Sequence, residues 1–271
     1  MFQSNVSILG KFLETQFHDS VIKYIGFGWS SIVFFVDNMV VRFPRQNTED
    51  YVFEEYICRK LQTKTPFEIP QVKVFLDALY PYAMHVRIEG YEWDMVMNNT
   101  RIHFAKDCAL FLSQIHNISY DSTIRERPQD SRLEIKDLEK QFSHRIDDHL
   151  LQTLCGKFER INPNSTSGKL AFIHADIRKN NMIFKKSGQL NGVFDWCNSG
   201  MGEIEQEFVK IYQDFGGVFL GDIIKEYELL TNNTVDINRV YDLSFIDRVR
   251  SLYWANNTMG LIKLCQELET P

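Results

Sequence analysis

Three side chains stand out by type and spacing. Asp176 follows His174 and Ala175, Asn181 comes five residues after that aspartate, and Asp195 closes the run Gly192-Val193-Phe194-Asp195. One carboxylate can take a proton from an alcohol, while the amide and the second carboxylate form a pair of hard oxygen ligands. Magnesium prefers such ligands and is usually held by one or two carboxylates together with phosphate oxygens. The trio therefore fits phosphoryl transfer. A lone His-x-Asp is more often a hydrogen-bonded loop than a site, and it is the addition of Asn181 and Asp195 that carries the chemical reading. His174 itself reads as architectural, a buried imidazole bonding to backbone near Asp195.

A second feature lies near the N-terminus, where Gly26-Phe27-Gly28-Trp29-Ser30-Ser31 separates two strand-like runs. Glycine lets a backbone approach phosphate oxygens closely, and serine hydroxyls can donate to them; the same residues also suit a plain hairpin turn. Further on, from Phe194 to Asp247, eleven acidic residues stand against three basic ones. Such a surplus would draw a cationic molecule, or it would simply coat solvated helix faces.

The elements that must position these groups follow from hydrophobic patterning. Over residues 21–45, VIKYI, IVFFV and MVVRFP are rich in β-branched and aromatic residues and are punctuated by Gly and Asp-Asn, which predicts three antiparallel strands. From Glu49 to Leu61 the apolar positions Val52, Tyr56, Ile57 and Leu61 recur at helical spacing. VKVFLDAL and YAMHVRI predict two more strands, and Gly90 with the polar Asn98-Asn99-Thr100 marks a change of character. Beyond it helices dominate: one over residues 103–118, with Phe104, Cys108, Leu112 and Ile115 on a stripe, then helical stretches near 134–158, 203–230 and 236–268. Between them AFI, MIF and GVF predict short strands that present polar turns.

The loop His174-Ala175-Asp176-Ile177-Arg178-Lys179-Asn180-Asn181 resembles the His-x-Asp-x-x-x-x-Asn catalytic loop of the aminoglycoside phosphotransferases and choline-kinase-like relatives of protein kinases. Asp195, in Phe-Asp-Trp, corresponds to the magnesium aspartate of that family, and Gly202-Glu203 and Glu207-Phe208 match a following acidic stretch in which the family has aspartates. The N-terminal part is similar to the aminoglycoside 2''-phosphotransferases in particular, through Arg42-Phe43-Pro44-Arg45, Glu55 in the first surface helix, and Phe67-Glu68-Ile69-Pro70.

The resemblance implies an α+β, two-lobed protein-kinase-like fold. Residues 1–90 would form an N-terminal lobe with a five-stranded antiparallel sheet, one main helix and an interlobe linker near 84–90; residues 91–271 would form a larger, mainly helical catalytic and acceptor-binding lobe, with the nucleotide between the two. It further implies that Asp176 accepts the proton of the acceptor hydroxyl, that Arg178 steadies the transferred group, and that Asn181 and Asp195 hold Mg2+ on ATP or GTP. Gly26, Gly28, Ser30 and Ser31 would lie along the phosphates, Arg42 would pair with the phosphates and with Glu55 (Glu54 being the fallback), and backbone from Val86 to Ile88 would meet the base. The implied acceptor is an aminoglycoside or related amino sugar or amino alcohol. One departure is that Arg42 stands where the family has lysine, replacing a compact ammonium by a planar fork; a nucleotide-binding or sensor protein that has lost catalysis is the competing reading.

Composition sets the outer bounds. At 271 residues and 44% hydrophobic content the chain can bury one large core or two modest ones. Five scattered cysteines without a Cys-x-x-Cys pair argue against a disulfide framework or a zinc site and point to reduced thiols in a cytoplasm. A formal charge of −6 gives no footprint for nucleic acid, and no leader or 18-residue apolar run points to secretion or a membrane. The sequence leaves the oligomeric state open.

Overall fold

The structure is a computed structural model that describes residues 2–28, 30–45, 47–96, 101–119, 133–161 and 168–269. The Asn98–Thr100 stretch, where the sequence changes character, and Trp29 of the glycine loop lie outside the described residues. In chain order the elements are α1 (Phe2–Gln16), β1 (Ile22–Phe27), β2 (Ser31–Val36), β3 (Met39–Pro44), α2 (Glu49–Leu61), β4 (Lys73–Phe75), β5 (Tyr82–Val86), α3 (Arg101–His116), α4 (Ile135–Phe142) and α5 (Asp148–Ile161). They continue with β6 (Leu170–Ile173), β7 (Met182–Phe184), β8 (Leu190–Val193), β9 (Gly200–Glu203), α6 (Ile204–Thr231), α7 (Ile237–Trp254) and α8 (Thr258–Glu269). The chain divides into two compact units: residues 1–115 with 179–198, and residues 116–178 with 199–271.

The first unit carries the expected five-stranded sheet, antiparallel throughout, in the order β1-β2-β3-β5-β4. Side chains alternate across a strand, so the central strand β3 sends Val41 and Phe43 one way and Arg42 the other. Val41 and Phe43 join Phe34, Val36 and Tyr82 in an apolar cluster closed by Leu9, Phe12 and Leu13 of α1, a helix that the sequence patterning did not announce. On the opposite side Arg42 meets Glu54 of α2. The same unit contains the β7–β8 hairpin, and the expected stripe of α3, Phe104, Cys108, Leu112 and Ile115, is buried.

In the second unit β6 pairs antiparallel with β9, a strand missing from the sequence expectation. Gly202 is required there, because a Cβ would come within 2.5 Å of the Ile173 Cδ1 carbon. The core is helical, built from Leu138 and Phe142 of α4, Leu154 and Phe158 of α5, Ile246 and Val249 of α7, and Leu261 and Leu264 of α8. The stretch expected to be helical over 236–268 is two helices, since Asn256 turns left-handed at φ 50° and Asn257 then accepts the Gly260 amide at 2.9 Å to start α8. Asp236 caps α7 by accepting the amides of Asn238 and Arg239. The long α6 breaks at Gly216, whose φ of 79° only glycine adopts without strain. All five cysteines are buried free thiols. Among the described residues no helix is long and apolar enough to cross a membrane.

Candidate active site

The first unit brings together Arg42, Glu54, Asn181 and Asp195. Asn181 ends a short 3-10 turn (Lys179–Asn181) and leads into β7, while Asp195 follows β8. The Phe194 amide donates to the Asn181 carbonyl at 3.1 Å, so the open end of the hairpin holds the two segments side by side. Asp195 sits at φ 66°, in the left-handed region where a non-glycine residue costs roughly 1–2 kcal/mol. The next amide, that of Trp196, is fixed by Glu54 Oε1 at 3.1 Å, and Trp196 is itself fully buried.

Arg42 donates through Nη2 to Glu54 Oε2 and places Nη1 3.7 Å from Asp195 Oδ1. The guanidinium carbon lies over the Tyr51 ring, 5.1 Å from its centroid, and the Tyr51 hydroxyl bonds to that of Ser31 at 2.6 Å. Burial works against the charge on both members of the pair, but the facing carboxylate raises the guanidinium well above its usual range and the facing cation lowers Glu54. His85 behaves oppositely: burial first, and then the charge of Arg42, push it down to about 4, so the imidazole is neutral.

The acid facing Arg42 is therefore Glu54, and Glu55, the residue expected from sequence, is not its partner. The buried stripe of α2 is Tyr51, Glu54, Ile57, Cys58 and Leu61. Val52, on which the expected stripe was phased, is 44% exposed; shifting the phase by one residue turns Glu55 off that face. Reading the stripe from Tyr51 and Cys58 would have found Glu54.

The glycine loop is the β1–β2 turn. Gly26 pairs with Val33, the Gly28 amide donates to the Ser31 carbonyl, and Arg45 donates to the Gly28 carbonyl at 2.8 Å. Gly28 and Ser30 are exposed, whereas Ser31 is buried against Tyr51. At the end of β5, Val86 is half exposed and Ile88 buried; the Val86 carbonyl approaches His85 Nδ1 at 2.9 Å and the Arg87 amide donates to the Asn38 carbonyl.

The second unit holds Asp176 and Arg178. Ala175 has φ 66°, again left-handed and again without glycine. The fully buried Glu207 of α6 accepts the amides of His174 at 2.6 Å and Ala175 at 3.0 Å, and the Asp176 amide donates to His174 Nδ1 at 3.2 Å. His116 Nε2 stands 3.7 Å from Glu207 while its Nδ1 meets the Tyr227 hydroxyl at 2.8 Å. The loop is thus pinned from below, with Asp176 Oδ1 3.4 Å from Arg178 Nε and one-fifth exposed. Glu203 forms a buried ion pair with Arg239 at 3.0 Å and accepts the Gly168 amide. Both glutamates that stand where the resembling family has aspartates thus have architectural work.

Three side chains offer metal-ligand atoms within 4.8 Å of one another: Glu54, Asp195 and Cys197. Two of them are unsuitable. Glu54 is engaged by Arg42, the Trp196 amide and the Cys197 thiol, and burial keeps that thiol protonated, well above its ordinary value. The donors that fit a hard cation are the partly exposed Asp195 carboxylate and the Asn181 amide, all oxygen, as magnesium requires.

A five-stranded sheet with an Arg–Glu pair behind it, followed by a pinned His-x-Asp loop and a helical region, defines a kinase-like phosphotransferase. Comparison agrees: a family model described as the phosphotransferase enzyme family matches residues 21–236, and the chain belongs to that family. Among solved structures, the GDP and kanamycin complex of APH(2'')-IIIa has a TM-score of 0.75 at 16% identity, covering 96% of each chain. The gentamicin–APH(2'')-IIa complex gives 0.69 at 21% identity over 97% of this chain and 95% of that one. The macrolide 2'-phosphotransferase MphH from Brachybacterium faecium gives 0.65 at 12% identity over 99% of both.

Proposed function

We propose that the protein moves the terminal phosphoryl of ATP or GTP to a hydroxyl of a small molecule, with Mg2+ held by Asn181 and Asp195. Asp176 takes the hydroxyl proton as the acceptor oxygen bonds to the terminal phosphorus, the bond to the bridging oxygen breaks, and a nucleoside diphosphate leaves. The metal, when bound, neutralises charge on the phosphates; the protein's own part is positioning and electrostatics. Arg178, beside Asp176, offsets charge on the transferred group, and Gly26, Gly28, Ser30, Arg42 and the backbone from Val86 to Ile88 receive the nucleotide. The observation that carries the reading is that both chemical segments are pinned in left-handed backbone by buried glutamates, Glu207 behind Ala175-Asp176 and Glu54 behind Asp195-Trp196. Local strain held this firmly is a mark of functional sites. Five buried free thiols support a reducing, cytoplasmic setting.

The acceptor implied by resemblance is an aminoglycoside, amino sugar or amino alcohol, and kanamycin and gentamicin are the ligands named for two of the similar structures. The acidic surplus no longer supports it. Of those eleven residues, Glu203, Glu205, Glu207, Glu228, Asp236 and Asp247 hold backbone amides or internal cations.

Phosphorus NMR of the protein with Mg2+, ATP or GTP and a panel of alcohols tests the reaction. A new phosphomonoester appearing with nucleoside diphosphate is the expected result. Triphosphate that binds and persists unchanged would instead favour the sensor reading, which Arg42 in the lysine position motivates.

A further inference from the structure

Within the second unit, residues of α6, α7 and α8 line an open cavity of about 940 Å³ whose lining includes Arg178. That volume suits a ligand of drug or disaccharide size. Arg178 ties the cavity to the reaction, because its Nε lies 3.4 Å from Asp176 Oδ1. The break at Gly216 falls on this wall, and Gly216 and Gly217 both line it; a Cβ at Gly216 would meet nothing within 4 Å, so the missing side chain leaves space open.

The sign of the wall is the informative part. Five cations, Lys157, Arg178, Lys210, Arg248 and Lys263, face two carboxylates, Asp247 and Glu267. Those two are already matched, Asp247 to Lys210 at 2.6 Å and Glu267 to Arg248 at 2.8 Å. Counting Asp176 against Arg178 still leaves Lys157 and Lys263, for which no ion-pair partner exists among the described residues; Lys157 lies over the Phe245 ring at 4.7 Å. Tyr212 and Tyr241, with ring centroids 4.9 Å apart and ring planes tilted by 52°, add apolar surface on the same wall. A polycation entering here would meet like charge, which disfavours binding.

Resting on the phosphotransferase reading above, we infer that the acceptor is an anionic alcohol, a ring or polyol bearing a carboxylate or phosphate, seated on Tyr212 and Tyr241 with its charge toward Lys263 and Lys157. A polycationic amine is the acceptor this wall is built to reject.

The test is turnover of a panel in three charge classes with Mg2+ and ATP or GTP: sugar acids, hydroxy acids and sugar phosphates; neutral sugars and polyols; and aminoglycosides with amino alcohols. The expected result is kcat/KM at least tenfold higher for an anionic acceptor than for any cationic one. Lys263→Glu, an exposed position where folding is not at stake, then raises the KM of that acceptor at least tenfold with kcat little changed, and Lys263→Arg restores it. Preferred turnover of kanamycin or another polyamine, or an anionic acceptor indifferent to Lys263→Glu, overturns the inference. So does Asp176-dependent nucleotide consumption without transfer to any anionic acceptor, which leaves the phosphotransferase reading standing. No Asp176-dependent consumption with any acceptor overturns that reading itself.

Discussion

Glu54 and Glu207 are the same residue type, equally buried, and they solve the same problem with different partners. Each holds the backbone at a left-handed residue in a segment proposed to carry chemistry: Glu207 through the amides of His174 and Ala175, just before Asp176, and Glu54 through the amide of Trp196, just after Asp195. Glu54 also faces a full cation, Arg42, whereas the Glu207 charge is dispersed over amide dipoles, with the His116 ring at 3.7 Å. The difference separates two functions. In the first unit the carboxylate sets the direction of a charge beside Asp195; in the second it sets only the shape of a loop.

Removing each carboxylate in turn should break the parallel in a defined way. Glu54→Ala strips the buried Arg42 cation of its closest carboxylate and leaves it only Asp195 at 3.7 Å, and denaturant unfolding should register a loss of about 3–5 kcal/mol. Glu207→Gln keeps the volume and loses charge-assisted bonds to two amides, so the loss should be smaller, about 1.5–3 kcal/mol, with kcat falling because the Asp176 loop relaxes. Equal losses in the two variants would dissolve the distinction between charge-setting and shape-setting.

A smaller effect sharpens it through pH. His85, held near 4 in the fold by burial and by Arg42, has an ordinary value of 6.5. The unfolded chain therefore takes up the proton first as pH falls, so stability is lost from pH 6.5 downward and levels off below 4. Between pH 6.5 and 5.5 the loss should be on the order of 1 kcal/mol. Unfolding curves for His85→Gln should be flatter over that window, and an unchanged slope would show that the first unit tolerates a second cation beside Arg42.

Much of this was legible in the sequence, and the failures have physical causes. The spacing of Asp176, Asn181 and Asp195 pointed to two segments whose backbone is held by buried glutamates, and α2 runs from Glu49 to Leu61 as its pattern predicts. The partner of Arg42 was missed because the stripe of α2 includes a charged residue, so apolar periodicity alone phased it on Val52 and Tyr56. Strand β9, Gly200–Glu203, escaped because two of its four residues are glycines, which carry no strand signal although Gly202 permits the close approach of Ile173. The acidic surplus misled for a different reason: counting charges along the chain does not say which way they point. Six of the eleven acids are taken up by Arg239, Lys210 or backbone amides, and the cavity beside Arg178 has a cationic wall.

The central claim is that Asp176 is the proton acceptor of a phosphoryl transfer, and one paired measurement tests it most directly. Nucleotide affinity and single-turnover transfer should be compared in the wild type and Asp176→Asn, with Mg2+ and the best acceptor from the panel. The account predicts affinity within about twofold while transfer slows by roughly 10²–10⁴-fold. Transfer in Asp176→Asn within about tenfold of the wild type, a barrier change under roughly 1.4 kcal/mol, would contradict it.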